Sequence, residues 1–233
     1  MIKEESSEPF QTLIRFSLGA VMVLVLFHFA SVYYTEDGFW ELTRLFNLNR
    51  EKNVPTWFSS MLLFSCAVMA FQTGTLGLSN TGRRSWFFIA GIFVFLSCDE
   101  VAAMHERLFP IALHKILYVF GYTNNVESNL NHWAFILGPV VVMGAFVYFK
   151  VFIKCLDGSG EALKRVLSGS IFLLMGSLIL EYIGDSLFYG RRRDIWEVWL
   201  VWEEALEMIG SITILSGIYV HQCYLKQRIR QTA

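Results

Sequence analysis

Residues 86–108, WFFIAGIFVFLSCDEVAAMHERL, join an apolar run to a polar end. The first half has no charged side chain, whereas the second half contains Asp99, Glu100, His105 and Glu106. An α-helix of this length rises by about 34 Å, which is enough to cross roughly 30 Å of hydrocarbon. The stretch therefore predicts a membrane-spanning helix that carries ionisable groups into the bilayer, where something must neutralise them.

The composition of the whole chain also favours a membrane protein. Its 233 residues are 55% hydrophobic and 16% aromatic, and the mean hydropathy is +0.47. A water-soluble domain of this size needs a more polar surface. The formal net charge of −1 gives no electrostatic reason to expect a nucleic acid as a partner. We therefore predict a single all-α transmembrane domain over residues 1–233, with the lipid bilayer as its surroundings.

Apolar runs of the length of a span recur along the chain. They predict a six-helix bundle with spans at about 12–34, 56–78, 86–108, 132–154, 164–188 and 195–224. An even number of spans puts both termini on the same side of the membrane. Lys and Arg residues are more frequent on that side, so the positive-inside rule predicts cytoplasmic termini. The run GRRRD at 190–194 counts against this orientation.

Two longer connections carry apolar residues at helical spacing. In 35–55, Phe39 and Leu42 begin such a face, which predicts a short interfacial helix, and 109–131 shows a similar pattern. NLNREKN, residues 47–53, alternates oxygen-bearing side chains as a calcium loop does, but it lacks the glycine that an EF-hand requires. It therefore predicts a hydrogen-bonded turn.

Most ionisable residues inside the predicted spans fall in one half of the bilayer. On the predicted topology this layer contains His28, Asp99, Glu100, His105, Glu106, His132, Glu181, Asp185, Glu203, Glu204 and Glu207. A single carboxylate near the membrane centre costs about 2.5–3.5 kcal/mol on insertion scales. We therefore expect these acids to face one another, water or a cation.

Helical spacing indicates which of these side chains can meet. Glu203 and Glu207 are i,i+4 neighbours on a face of the last span that continues to Gly210. Glu100 and His105 are about 140° apart on a straight helix, so such a helix does not offer both to one ion. The fifth span has a seam of small and polar residues suited to close packing: Ser170, Ser177, Glu181, Gly184 and Asp185.

The leading hypothesis is a buried metal site in this layer. Carboxylates and histidines on facing helices hold di-iron or di-manganese centres in helical bundles, although the Glu-x-x-His pair of those proteins is absent. Iron, zinc or manganese would suit such ligands, and metal-dependent hydrolysis or oxidation of a lipid or apolar substrate would be the chemistry. The predicted ligands, or residues that orient them, are Glu100, His105, Glu181, Glu204 and Glu207, followed by His132, Glu203 and Asp99.

Other interpretations stay open. The acids could share protons in a hydrogen-bonded cluster, relay protons or ions in a transporter or channel, or belong to a structural or assembly subunit without chemistry. The apolar character of the other half of the predicted bundle disfavours a complete transport path. No catalytic residue and no oligomeric state is predicted.

The remaining histidines and tryptophans have simpler interpretations. His28 is expected to be satisfied by local hydrogen bonds, whereas His114 and His221 are expected at the membrane surface. The tryptophans near the predicted boundary need only form an aromatic belt: Trp57, Trp133, Trp196, Trp199 and Trp202.

Three stretches resemble a group of uncharacterised bacterial multi-pass inner-membrane proteins: FVFLSCDEVAAMHERL, LILEYIGD and WEEALEMIGSITILSGIY. The shared pattern is an LSxDE…HE helix, a glutamate–glycine helix and a terminal EExLEMxG helix. FNLNREKNVPTWFSS is similar to the loop before their second span, with Asn47 and Asn49 where that loop has acids. The resemblance covers about residues 45–225. It implies the bacterial inner membrane as the location and groups these residues together, but it implies no activity.

Overall fold

The chain is helical throughout the part that the structure describes. The computed structural model describes residues 7–33, 40–76, 79–104, 115, 119, 133–187 and 193–232, and these ranges contain no β-strand. The helices are α1 (Glu8–Tyr33), α2 (Trp40–Phe46), α3 (Val54–Gly74), α4 (Asn80–Ala102), α5 (Trp133–Cys155), α6 (Gly160–Leu174), α7 (Glu181–Leu187) and α8 (Arg193–Thr232). A π-helical turn, Met175–Leu180, joins α6 to α7. The predicted all-α class is confirmed.

Four of the described helical segments are long and apolar enough to cross a membrane. They are Glu8–Tyr33, Val54–Gly74, Asn80–Ala102 and Gly160–Gly184. Large apolar side chains are exposed on these segments, for example Phe16 at 74%, which suits a surface in contact with acyl chains. These four helices are compatible with a membrane protein, whereas the total of six spans stays a prediction.

The long helix α8 lies at the centre of the described bundle. It contacts α1, α3, α6, the π-helical turn and α7, and α4 packs along α3. One apolar cluster, with Trp86, Phe152 and Ile218 among its members, fills the space between α3, α4, α5, α6 and α8. A second cluster, which includes Leu24 and Met208, joins α1 and α3 to α8. The core therefore follows α8 along its length.

Glycines bring α6 and α8 into backbone contact. A Cβ atom on Gly169 would lie 2.7 Å from the carbonyl oxygen of Gly210, and one on Gly210 would lie 2.7 Å from that of Gly169. A Cβ on Gly217 would lie 2.7 Å from a side-chain carbon of Val166. The segment predicted to carry a small-residue seam therefore does pack closely, with α8 as its neighbour.

The helix α4 (Asn80–Ala102) begins and ends earlier than the predicted third span. The hydroxyl of Ser79 caps its start by accepting a backbone N–H of the first turn at 3.2 Å. It ends because Ala103 adopts a left-handed φ of 49° and donates its N–H to the Asp99 carbonyl at 2.7 Å. Because α4 ends before His105, the angle predicted between Glu100 and His105 on a straight helix does not apply, and His105 itself lies outside the described residues.

The connection before α3 folds as a hydrogen-bonded turn that follows the short helix Trp40–Phe46. Asn53 caps α3, because its Oδ1 accepts the backbone N–H of Thr56 at 3.1 Å, and its Nδ2 donates to the Asn47 carbonyl at 2.6 Å. The predicted turn and the helix within the first long connection are thus both present. The second predicted interfacial helix, at 109–131, falls almost wholly outside the described residues.

Candidate functional site

Five carboxylates from three helices converge at one end of the described bundle. Glu207 lies within direct electrostatic range of Glu204, Glu100, Glu203 and Glu181. Glu100 is close to the end of α4, Glu181 begins α7, and the other three belong to α8. We call these five residues the acid cluster. All five belong to the residues that the sequence predicts for a metal site.

The acid cluster lies inside the protein rather than on its surface. Glu203 is 8% exposed, and the other four residues are half-buried. Negative charges in such surroundings repel strongly because the effective dielectric constant is far below that of water. The cluster is therefore stable only if protons, basic groups or a bound cation reduce its charge.

The π-helical turn Met175–Leu180 makes room for the acid cluster. A Cβ atom on Gly176 would lie 2.6 Å from the Cγ of Glu207 and 2.8 Å from the carbonyl oxygen of Glu203. Only a hydrogen atom therefore fits at this position against α8. The turn also leads directly into Glu181, and the extra residue in a π turn rotates the residues that follow it around the helix axis.

Trp199 braces this turn from the side of α8. Its indole Nε1 donates a hydrogen bond of 2.7 Å to the carbonyl oxygen of Leu180. A Cβ atom on Gly184 would lie 2.8 Å from the Trp199 ring, so α7 packs directly on the indole. Trp199 therefore does more than the predicted aromatic belt requires. By contrast, Trp57 and Trp202 are 60% and 62% exposed.

A pair of serines fixes the position of Glu100 relative to α3. Ser60 on α3 donates its hydroxyl to the Ser97 carbonyl at 2.9 Å, and Ser97 donates to the Ser60 carbonyl at 3.0 Å. Ser97 lies one helical turn before Glu100 on α4. These reciprocal bonds hold α4 at a fixed depth beside α3, and hence hold Glu100 at the level of the cluster.

A second buried polar pair joins α1 to α8. His28 is fully buried, and its Nδ1 accepts the backbone N–H of Leu48 at 3.1 Å. The neutral ring therefore carries its proton on Nε2, which lies 3.4 Å from Oε2 of Glu197. The Nδ1 atom of His28 is thus hydrogen-bonded, as expected, whereas its Nε2 makes no hydrogen bond among the described residues and lies only within ion-pair distance of Glu197. Glu197 is 6% exposed, and its distance along the sequence from His28 gives no signal that the two residues meet.

The remaining predicted ligands are not joined to the acid cluster by the described structure. Asp99 is half-buried and is not among the carboxylates that act on Glu207. His105, Glu106 and His132 lie outside the described residues, as does the Asp185 side chain. Among the side chains that are described, no group of three or more His, Cys, Asp or Glu is placed to hold a metal ion.

The half of the bundle away from the acid cluster is less apolar than predicted. His221 is 1% exposed and stacks on Trp86 with 5.5 Å between ring centroids, so its predicted place at the surface is wrong. The reason is that α8 continues to Thr232, well beyond the predicted end of the last span. His114 lies outside the described residues. The hydroxyls of Ser211 and Tyr148 are also buried in this half.

One family matches this chain. Its model, described as a domain of unknown function (DUF8692), covers residues 16–223. No curated protein and no solved structure is significantly similar to the chain.

Proposed function

The chain belongs to the DUF8692 family, and from its site we propose that it is a six-span membrane protein whose acid cluster binds a divalent metal ion. The observation that carries the proposal is the meeting of Glu207 with four other carboxylates from three helices. In this proposal α5 and α8 add two spans to the four apolar segments. The location is the bacterial inner membrane, with both termini in the cytoplasm.

A metal ion neutralises such a cluster more completely than pairing with single basic groups. Carboxylate oxygens are the ligands that iron, manganese and zinc accept in helical bundles, together with imidazole nitrogens. We assign Glu100, Glu181, Glu203, Glu204 and Glu207 as oxygen ligands or as residues that orient them. His105 and His132 are the proposed nitrogen ligands. Side-chain rotations would be needed to form the shell, because the described side chains do not form one.

The proposed chemistry is metal-assisted hydrolysis or oxidation of a lipid or another apolar substrate. A bound metal ion acts as a Lewis acid, or activates water at neutral pH. The choice of substrate is supported by the surroundings of the cluster, since helices with exposed apolar side chains carry the acids. A substrate dissolved in the bilayer would therefore approach without first entering water.

Metal analysis of the purified protein tests this proposal. Wild-type protein should retain stoichiometric iron, manganese or zinc, whereas the double variant Glu181→Ala plus Glu207→Ala should lose it. Glu161→Ala is the matched control, because Glu161 pairs with Arg165 on the surface of α6, remote from the cluster. Wild-type protein that holds no such metal, even after incubation with each ion, would refute the proposal.

A chelator distinguishes a metal site from a hydrogen-bonded cluster without metal. If the cluster binds a metal ion, removing the ion should destabilise the folded protein. Binding stabilises the folded state by about 2.7 kcal/mol when the free metal is at a hundred times its dissociation constant. A chelator should therefore lower the unfolding temperature of the wild type and leave that of Glu207→Gln nearly unchanged. In a structural or assembly subunit, the chelator would change neither, and the Gln variants would keep full activity.

A further inference from the structure

Three polar side chains in the half away from the acid cluster have buried nitrogen or oxygen atoms that make no well-formed hydrogen bond among the described residues. They are Ser211 through Oγ, Tyr148 through its hydroxyl and His221 through both ring nitrogens. Leaving such a group unpaired costs about 1–3 kcal/mol, and native proteins usually pair it with ordered water. Four polar atoms in an apolar core therefore indicate internal water molecules.

The first two groups belong to a polar layer that borders the acid cluster. Ser211 lies one helical turn after Glu207 on the same face of α8. The thiol of Cys66 on α3 donates a hydrogen bond to the Ser211 carbonyl oxygen, with 3.4 Å between the sulfur and the oxygen. The Tyr148 hydroxyl, from α5, faces Cys66 and Ser170. Side chains from α3, α5, α6 and α8 thus meet one helical turn along α8 from the acid cluster.

Aromatic rings lead from this layer to His221. The ring of Tyr148 packs edge-on against Phe152 at 4.6 Å between centroids, and Phe152 packs against Trp86 at 5.7 Å. Trp86 in turn stacks on His221 at 5.5 Å. Glu207 and His221 are separated by about 21 Å along α8, since each residue adds 1.5 Å. The polar groups between Glu207 and His221 are therefore spread over more than half of the roughly 30 Å hydrocarbon thickness of a bilayer.

His221 lies close to the far end of the bundle. Its ring is 6.0 Å from that of Tyr224, and the Tyr224 hydroxyl is 2.7 Å from the position of a Cβ atom on Gly158. Gly158, with a φ of +85°, is in the tight turn between α5 and α6. A turn that joins two long apolar helices lies at the membrane surface. The Tyr224 side chain thus lies between His221 and the water at this surface.

We propose that Ser211, Tyr148 and His221 line a hydrated proton path between the acid cluster and the turn that joins α5 to α6. Each hydroxyl donates one hydrogen bond while it accepts another, so a proton can arrive on its oxygen as its own proton leaves. A neutral imidazole takes a proton on one ring nitrogen and releases the other from the second. Internal water bridges the gaps between these groups. After each transfer the hydroxyls and the imidazole have to rotate back before the next proton can pass in the same direction.

This proposal goes beyond metal binding and does not depend on it. It accounts for polar atoms that the acid cluster does not use, and the buried polar atoms of this half weaken the argument that its apolar character disfavours a path. A neutral polar file that admits water is also less costly in a membrane than a file of charges.

Proton flux into liposomes tests the path. Purified protein is reconstituted in liposomes that contain a pH-sensitive dye, and a potassium gradient with valinomycin drives protons across the membrane. We expect wild-type protein to admit protons faster than protein-free liposomes. Tyr148→Phe and His221→Phe keep the ring packing but remove the polar atoms, and each should slow the flux by at least about tenfold.

Tyr219→Phe is the matched control. Its hydroxyl bonds Ser7 at 2.6 Å near an exposed position, so the same chemical change on α8 should leave the flux unchanged. Thermal unfolding of each variant verifies its folding, and metal content is measured on the same preparations. Flux that depends on Tyr148 in a metal-free protein would retain the path and reject the metal. Wild-type flux equal to that of empty liposomes, or path variants with wild-type flux, would overturn the proposal.

Discussion

Two glycines that lie two turns apart on the same helical segment face α8 with different consequences. Gly169 meets the backbone of Gly210 and Ile214, so its close approach serves helix packing alone. Gly176, two turns later, meets the side chain of Glu207 and the carbonyl of Glu203. Between them the α-helix becomes a π-helical turn. The same small residue thus closes an interface at one end and makes space for a carboxylate at the other.

This difference separates stability from the proposed function. Backbone contact at Gly169 and Gly210 gains dispersion energy that is available without any polar group. The contact at Gly176 brings charged side chains together, which costs free energy unless they are neutralised. Substitutions at Gly210 should therefore affect folding, whereas substitutions at Gly176 should affect the proposed metal site.

Gly210→Leu should have the largest effect on folding. Its Cβ would lie 2.7 Å from the Gly169 carbonyl oxygen and 2.7 Å from the Leu173 nitrogen, so two helix backbones would have to separate. We expect a loss of about 3 kcal/mol, at the upper end of overpacking effects, measured by thermal unfolding in detergent. Gly91→Leu is the control, because nothing lies within 4 Å of its Cβ position. If the two variants are equally stable, close packing at Gly210 does not stabilise the fold.

Gly176→Ala should affect the site more than the fold. The added methyl group displaces Glu207, and we expect metal affinity to fall by roughly 10–100-fold, as when groups that orient ligands are changed. Competition with a coloured chelator measures the affinity. Gly144→Ala on α5, where the Cβ position is open, should bind metal as the wild type does. Wild-type affinity in Gly176→Ala would mean that Glu207 is not a ligand.

Trp199→Phe should have the smallest effect. It removes the hydrogen bond to Leu180 and leaves a carbonyl of the π-helical turn unpaired, which costs about 1 kcal/mol. The loss should appear in thermal unfolding, with the fold and most of the metal retained. Trp202→Phe, at a side chain that is 62% exposed, should change stability less. If the two variants lose the same stability, Trp199 does not brace the turn.

Features with a local or periodic signal could be predicted from the sequence. The apolar runs predict the long helices, because a span has to match the thickness of hydrocarbon. The spacing of Glu203 and Glu207 predicts a shared face. The cost of isolated acids in a membrane then predicts that Glu100 and Glu181 meet them, and the described structure does bring these four together.

Features decided by tertiary packing could not be predicted in this way. Ala103 ends α4 in a left-handed conformation, although glycine is the usual residue there, so no sequence signal marks the end. The π-helical turn, whose Gly176 packs against α8, has no distinctive composition in the sequence. Glu197 and His28 are paired across distant helices. The surface position predicted for His221 is wrong because α8 continues beyond its apolar part to Thr232.

The most direct test of the metal site is X-ray absorption spectroscopy of the purified wild-type protein at the iron, manganese and zinc edges. If the acid cluster binds a metal ion, one of these edges should appear, with a shell of oxygen and nitrogen atoms at about 2.0–2.2 Å from the metal. The double variant Glu181→Ala plus Glu207→Ala should show no metal absorption edge. An edge that survives unchanged in that variant, or a wild-type protein without any edge after metal loading, would contradict the account.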